Sequence, residues 1–210
     1  MNDNENINIL NRIAKIVSAV FHPLFIPVYG LAVILFSPDI MGYYPNEVKK
    51  LLFLLVLINN VLVPLSLLPF FRYRNIISSW SIEERSERII PLSITTILYA
   101  VTSFIIFRYP IPAFLKAFFL SAFLLSLSAT VISLWWKISI HSIGTGALIA
   151  LILLLSLKFE SSLDGVLILA VFVAGVVLTS RLKLNSHNPR QVWYGLLAGY
   201  MGLWLIMSIF

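Results

Sequence analysis

Long apolar runs separated by short polar stretches recur from one end of the chain to the other. They occupy residues 16–36, 51–71, 91–107, 112–134, 143–157, 164–179 and 192–210. A helix needs roughly 20 mostly apolar residues to cross a bilayer core of about 30 Å, so each run predicts a membrane helix. The pattern therefore predicts an all-α polytopic transmembrane helical bundle of six to seven spans. The runs at 143–157 and 164–179 are short and are expected to lengthen into their flanks. Residues 1–15 are polar and no small-residue cleavage site follows them. They read as a polar N-terminal tail ahead of a retained first span. No repeat or linker interrupts 16–210, which predicts a single transmembrane domain.

Composition sharpens this picture. Apolar residues make up 60% of the 210 and charged residues 11%, against about 45–50% and about 25% in a soluble domain. So few charges cannot cover a water-facing surface, which excludes a soluble enzyme, a nucleic-acid-binding module and a disordered tail. The 15 Lys and Arg outnumber the 9 Asp and Glu. In a membrane protein such an excess belongs to loops and lipid headgroups. Membrane lipids, and no nucleic acid, are the expected partners. A multi-pass position in the cell membrane, of bacterial inner-membrane type, is the expected location. The absence of Cys removes disulfides, thiolate metal sites and cysteine nucleophiles.

The polar stretches are unequal. Those after the second, fourth and sixth runs share one side of the membrane, since alternate loops of a polytopic chain do. They carry Arg72, Arg74, Arg85, Arg88, Lys137, Arg181, Lys183 and Arg190 together with His141 and His187. Charges and histidines gathered on one face of an apolar bundle mark where a membrane protein keeps its chemistry. His22 reads differently: beside Pro23 and near Pro27 it is expected to be a hydrogen-bonding residue at a kink in the first span. Two imidazoles among guanidinium groups suit an anionic substrate, whereas a metal would want Asp, Glu or Cys beside the His. No metal site and no cofactor is expected. Glu83, Glu84 and Glu87 are expected to pair with Arg85 and Arg88 on an amphipathic helix. The patterns of serine hydrolases, zinc proteases and P-loop proteins are absent. With the amino terminus on the motif side, ten Lys and Arg fall there and five opposite. Four of those ten are anion-site candidates, so the count leaves the side open.

This polar face carries a family likeness. Ser180-Arg181, five residues, His187, then Asn188-Pro189-Arg190-Gln191-Val192 and Gly195 resembles the third signature of the type 2 phosphatidic acid phosphatase superfamily, SR-x5-H-x3-D. Ile138-Ser139-Ile140-His141 resembles the second signature, PSGH. Arg88-Ile89-Ile90-Pro91 is similar to the end of the first, K-x6-RP. The three fall in family order over about residues 85–199. The chain departs from the pattern at the first-signature Lys, which is Ser81, with Arg85 nearly one turn before Arg88 as a substitute. The Pro and Gly of the second signature are both Ile. The Asp that orients the nucleophilic His in the family is Gln191.

The resemblance implies a phosphatase-type helical core and metal-independent hydrolysis of a lipid phosphomonoester or diphosphate, phosphatidate-like or polyprenyl-diphosphate-like. His187 would attack phosphorus and form a phosphohistidine, while His141 would protonate the leaving oxygen and then activate water. Arg88 and Arg181 would hold the equatorial oxygens. Ser139 and the N–H groups opening the fifth run would complete the anion pocket, with Arg85 and Lys137 as further phosphate contacts. Gln191 can hold the imidazole by accepting a hydrogen bond, but it cannot stabilise an imidazolium as a carboxylate would. The same residues also suit a catalytically inactive relative that binds anionic lipid or a partner membrane protein. Gly195-x3-Gly199 reads as helix packing, and Trp135 and Trp136 as part of an aromatic belt.

Overall fold

Apolar segments of this length satisfy their backbone groups in a bilayer only by coiling into helices or closing into barrels, and here they coil. The computed structural model describes residues 3–80, 82 and 84–210, with side chains from residue 8 onward; Ser81 and Glu83 lie outside the described residues. The order is α1 (Asp3–Val20), α2 (Ile26–Phe36), α3 (Pro38–Met41), α4 (Asn46–Val56), a π-helical segment (Leu57–Leu62), α5 (Val63–Tyr73), α6 (Arg85–Phe107), α7 (Ala113–Ser133), α8 (Ile140–Phe159), α9 (Asp164–Lys183) and α10 (Pro189–Ile209). Six helices among the described residues are long and apolar enough to cross a membrane: the continuous Asn46–Tyr73, then α6 to α10. The short runs at 143–157 and 164–179 do lengthen, into α8 and α9.

The first run behaves otherwise. It is not one span: the chain is helical to Val20, turns through 21–25 and resumes helix at Ile26. Pro23 has no N–H to give and pushes His22 away from helical geometry. The segment closes instead through Phe25 N–H to His22 O and Ile26 N–H to Pro23 O. Pro27 falls in the first turn of α2, where a missing donor costs nothing. The eleven residues of α2 rise only about 16 Å, too little to cross alone. The expected polar tail is also helical from Asp3 onward. Along α1, Ile9, Ile13, Ile16 and Val20 stand exposed while Ala14 and Ser18 are buried, so the helix turns a narrow small-residue face to the protein, where it packs on α9.

The π-helical segment has a local cause. Pro64 cannot donate to the carbonyl four residues back, and its ring crowds that carbonyl. Widening the preceding turn relieves both problems, and Val63 N–H bonds to Ile58 O, five residues back. The widened turn aims Asn59 and Asn60 at α6. Asn59 Nδ2 donates to Leu98 O (2.8 Å) and Thr102 Oγ1 (2.6 Å), and Thr102 Oγ1–H donates to Asn60 Oδ1 (2.6 Å).

Helix α8 is the centre of the bundle, with half of its membrane window buried, packed on α10, α9 and α2. Glycine makes the α8–α10 contact possible. A Cβ on Gly199 would sit 1.9 Å from Ile143 O, and one on Gly146 would sit 2.1 Å from Leu196 O. The Gly195-x3-Gly199 stripe thus serves helix packing, as small residues do inside membranes. This crossing holds the first turn of α8 against the first turn of α10, which carry His141 and follow His187.

Candidate active site

Four of the eight expected site residues meet at one end of a single cavity of about 630 Å³: Arg88, His141, Arg181 and His187. They come from the first turn of α6, the first turn of α8, the last turn of α9 and the turn before α10. The rest of the cavity is mostly apolar and runs between the helices past Leu68, Leu92, Tyr99, Phe118, Leu148 and Leu151, with Thr95 and Ser126 on its wall. Tyr99 follows Arg88 by eleven residues on α6, and Leu151 follows His141 by ten on α8. At 1.5 Å per residue the apolar part reaches roughly 15 Å below the charged end.

The turn between α9 and α10 explains why five residues separate Arg181 from His187. Helix α9 ends in a left-handed residue, Asn185 (φ 52°), a conformation Asn tolerates better than most. Ser186 N–H reaches back to Arg181 O (3.2 Å) and Leu184 N–H to Ser180 O (3.0 Å), closing the helix end. Asn188 then opens α10 with a capping box: its Oδ1 accepts from Gln191 N–H (3.0 Å), and Gln191 Oε1 accepts from Asn188 N–H (3.2 Å). Arg181 and His187 are thereby held on the two sides of one tight turn, both nearly buried, at 8% and 6% exposure.

His187 is pinned by three contacts. Its Nδ1 lies 3.2 Å from Lys137 O and 3.1 Å from Gln191 Oε1. A backbone carbonyl can only accept, and the Gln191 oxygen already accepts from Asn188 N–H. Nδ1 therefore carries the proton and Nε2 keeps its lone pair. Nε2 faces Arg88 Nη1 at 3.4 Å. Burial first, and the Arg88 guanidinium second, push the His187 pKa down to about 4; Arg181 and Lys137 act the same way, and the bond to Gln191 opposes them. The ring is neutral at pH 7.

His141 donates Nε2–H to Ser18 O on α1 (3.1 Å), which leaves Nδ1 as the nitrogen able to exchange a proton. Arg88 Nε donates to Ile82 O (3.0 Å), fixing the guanidinium plane.

The other four expected residues do not line the cavity. Ser139 is fully buried as the N-cap of α8, its Oγ accepting from Ser142 Oγ–H (2.8 Å) and Ser142 N–H (3.4 Å). Arg85 Nη1 donates to Ser133 O (3.2 Å) and to Leu134 O, capping the end of α7. Lys137 contributes its carbonyl to His187, and Gln191 acts through His187. Glu87 Oε1 accepts from Ser78 N–H (3.0 Å), an anchor for the loop before α6 rather than a helix-face contact.

Sequence reasoning missed Lys15, Ser18 and His22, which all line the charged end. The His22 ring meets His141 edge-on, centroids 5.5 Å apart and planes at 83°. The available signal was His22-Pro23 inside an otherwise apolar run, which marks a break whose polar residue needs somewhere to go. Among the described residues no three His, Asp or Glu come together as a metal would require. The chain matches no family model, no curated protein and no solved structure.

Proposed function

We propose that this membrane protein is a lipid phosphatase acting through a phosphohistidine. The observation that carries the reading is the convergence of Arg88, His141, Arg181 and His187, from four separate stretches of chain, on the charged end of a cavity whose remaining length is mostly apolar. Such a cavity suits a molecule with an anionic head and a hydrocarbon tail.

The reaction follows from the hydrogen bonds. A phosphoryl group at the charged end is held by Arg88 and Arg181, whose charge meets the equatorial oxygens. His187 Nε2 attacks phosphorus; a P–N bond forms as the P–O bond to the lipid breaks. His141 enters as the imidazolium, its second proton, on Nδ1, taken from the incoming phosphate monoanion; the leaving oxygen keeps the electron pair and takes that proton. The phosphorylated ring is cationic, and its Nδ1–H donates to two neutral acceptors, Lys137 O and Gln191 Oε1. Water, deprotonated by His141 Nδ1, then cleaves the P–N bond, releasing phosphate and restoring neutral His187. None of these steps requires a metal or cofactor.

A second reading rests on Gln191. Its side-chain oxygen serves both the capping box and His187, so that oxygen is explained without chemistry, and it brings no negative charge to the imidazole. That favours a protein that binds anionic lipid without turning it over. Hydrolysis of several phospholipids by the purified chain, with His187→Ala beside it, separates the two. The phosphatase reading expects turnover that vanishes in His187→Ala, falls with vanadate and survives EDTA. Turnover that persists in His187→Ala, or is lost with EDTA, defeats it. Tight lipid binding without any turnover establishes the second reading.

A further inference from the structure

The proposed chemistry leaves three residues at the charged end unused. Lys15, Ser18 and His22 line the cavity from α1 and the turn after it. Ser18 is the telling one. Three buried helical serines return to the carbonyl four residues back, Ser121 to Ala117, Ser133 to Ala129 and Ser180 to Val176, the usual resort of Ser in a helix. Buried Ser142, Thr96 and Thr145 bond to other side chains or to the carbonyl three back. Ser18 is 8% exposed and its Oγ has no hydrogen-bond partner. Leaving a buried hydroxyl without a partner is unfavourable, so its position on the cavity wall calls for something in the cavity to bind it. His22 offers a second donor. Its Nδ1 accepts from Leu24 N–H (3.4 Å), which leaves the proton on Nε2. Lys15 adds three donors and a charge. Arg181 is close enough to bear electrostatically on His22, His141 and His187 alike, so the two groups of residues adjoin.

We propose that Lys15, Ser18 and His22 form a second anion subsite beside the first, and that the lipid bound here carries two adjacent phosphoryl groups. The proposal rests on the lipid-phosphate reading and names its substrate class. The chemistry agrees with the site. Gln191 gives the attacking ring no charge stabilisation, so the nucleophile is weakly assisted. The alkoxide of a monoester is strongly basic, so its departure depends on the His141 proton. A diphosphate attacked at its terminal phosphorus expels a lipid monophosphate, whose last proton has a pKa of about 6. The P–N bond forms at His187 Nε2, the bond to the bridging oxygen breaks, and that oxygen keeps the electron pair on the departing lipid monophosphate. Lys15, Ser18 and His22 meet the charge that develops there.

The test uses the full chain in detergent with two isoprenoid lipids of equal tail length, one a monophosphate and one a diphosphate. Both kcat/KM and Kd are measured for wild type, Lys15→Gln, Ser18→Ala and His22→Gln. Ala is the better helix former, so Ser18→Ala does not threaten folding. Wild type is expected to prefer the diphosphate, and each variant to lose about tenfold of that preference. A preference that is absent in wild type, or unchanged in all three variants, overturns the subsite even if both lipids are hydrolysed. If wild type hydrolyses neither lipid yet binds the diphosphate more tightly, and the variants erase the difference, the subsite stands and the phosphatase reading falls.

Discussion

His187 and Gln191 carry the sharpest residue-level expectation. With its pKa held near 4 by burial and Arg88, the folded protein binds fewer protons there than an unfolded chain, whose His titrates near 6.5. The group's contribution therefore favours folding less and less as pH falls from about 6.5 to about 4. In NMR of histidine-labelled protein, the His187 ring is expected to stay neutral until pH approaches 4. Replacing Gln191 by Glu keeps the side-chain length that puts Oε1 at 3.1 Å from Nδ1 and adds a charge, which should raise that midpoint. If the phosphatase reading holds, it should also speed turnover by about tenfold or more, since the phosphorylated ring is cationic. Gln191→Ala should be slower than wild type. Equal turnover in all three would remove Gln191 from the mechanism.

At the scale of elements, the α8–α10 crossing decides whether the site exists. Gly199 and Gly146 each face a carbonyl of the opposite helix with no room for a methyl group. Gly199→Ala must push the helices apart, which disturbs the turn holding His187 against Lys137 O. Overpacking of this kind typically costs about 1–3 kcal/mol. Gly175 is the matched control: a Cβ there meets nothing within 4 Å, and removing a helix-interior glycine gains about 0.5–1 kcal/mol. Thermal unfolding in detergent should show Gly199→Ala melting lower and Gly175→Ala higher than wild type. If Gly199→Ala melts no lower than Gly175→Ala, the tight crossing is not what holds α10.

For the whole molecule, the joining of a charged end to an apolar depth of roughly 15 Å makes tail length the variable to test. Each methylene that enters the cavity should strengthen binding by about 0.8 kcal/mol, until the tail reaches the floor; further carbons should add little. Ala122 lines the cavity eleven residues from the end of α7 at Ser133, so it stands well down the apolar wall. Ala122→Phe should bring the plateau to shorter tails while short-chain phosphates bind as before. A tail-length profile identical in wild type and Ala122→Phe would show that the hydrocarbon lies elsewhere.

Run lengths and spacing were enough to mark the six long apolar helices from residue 46 onward and to place Arg181 and His187 on one turn, but they also marked 16–36, which is not one span. Those features depend on local chemistry: a run of about 20 apolar residues must coil to cross lipid, and SR-x5-H spans one helix end, one left-handed Asn and one cap. The break at Pro23 was also legible, but its consequence was not. Tertiary structure decided that α1 folds back along α9 and brings Lys15, Ser18 and His22 to the cavity. It also decided that Ser139 caps its own helix through Ser142 and Arg85 caps the end of α7, neither lining the cavity. A polar side chain at a helix end can serve its own helix, a neighbour or a ligand with the same atoms. Sequence sets what it can donate, and only the packing of other helices settles which acceptor comes within reach.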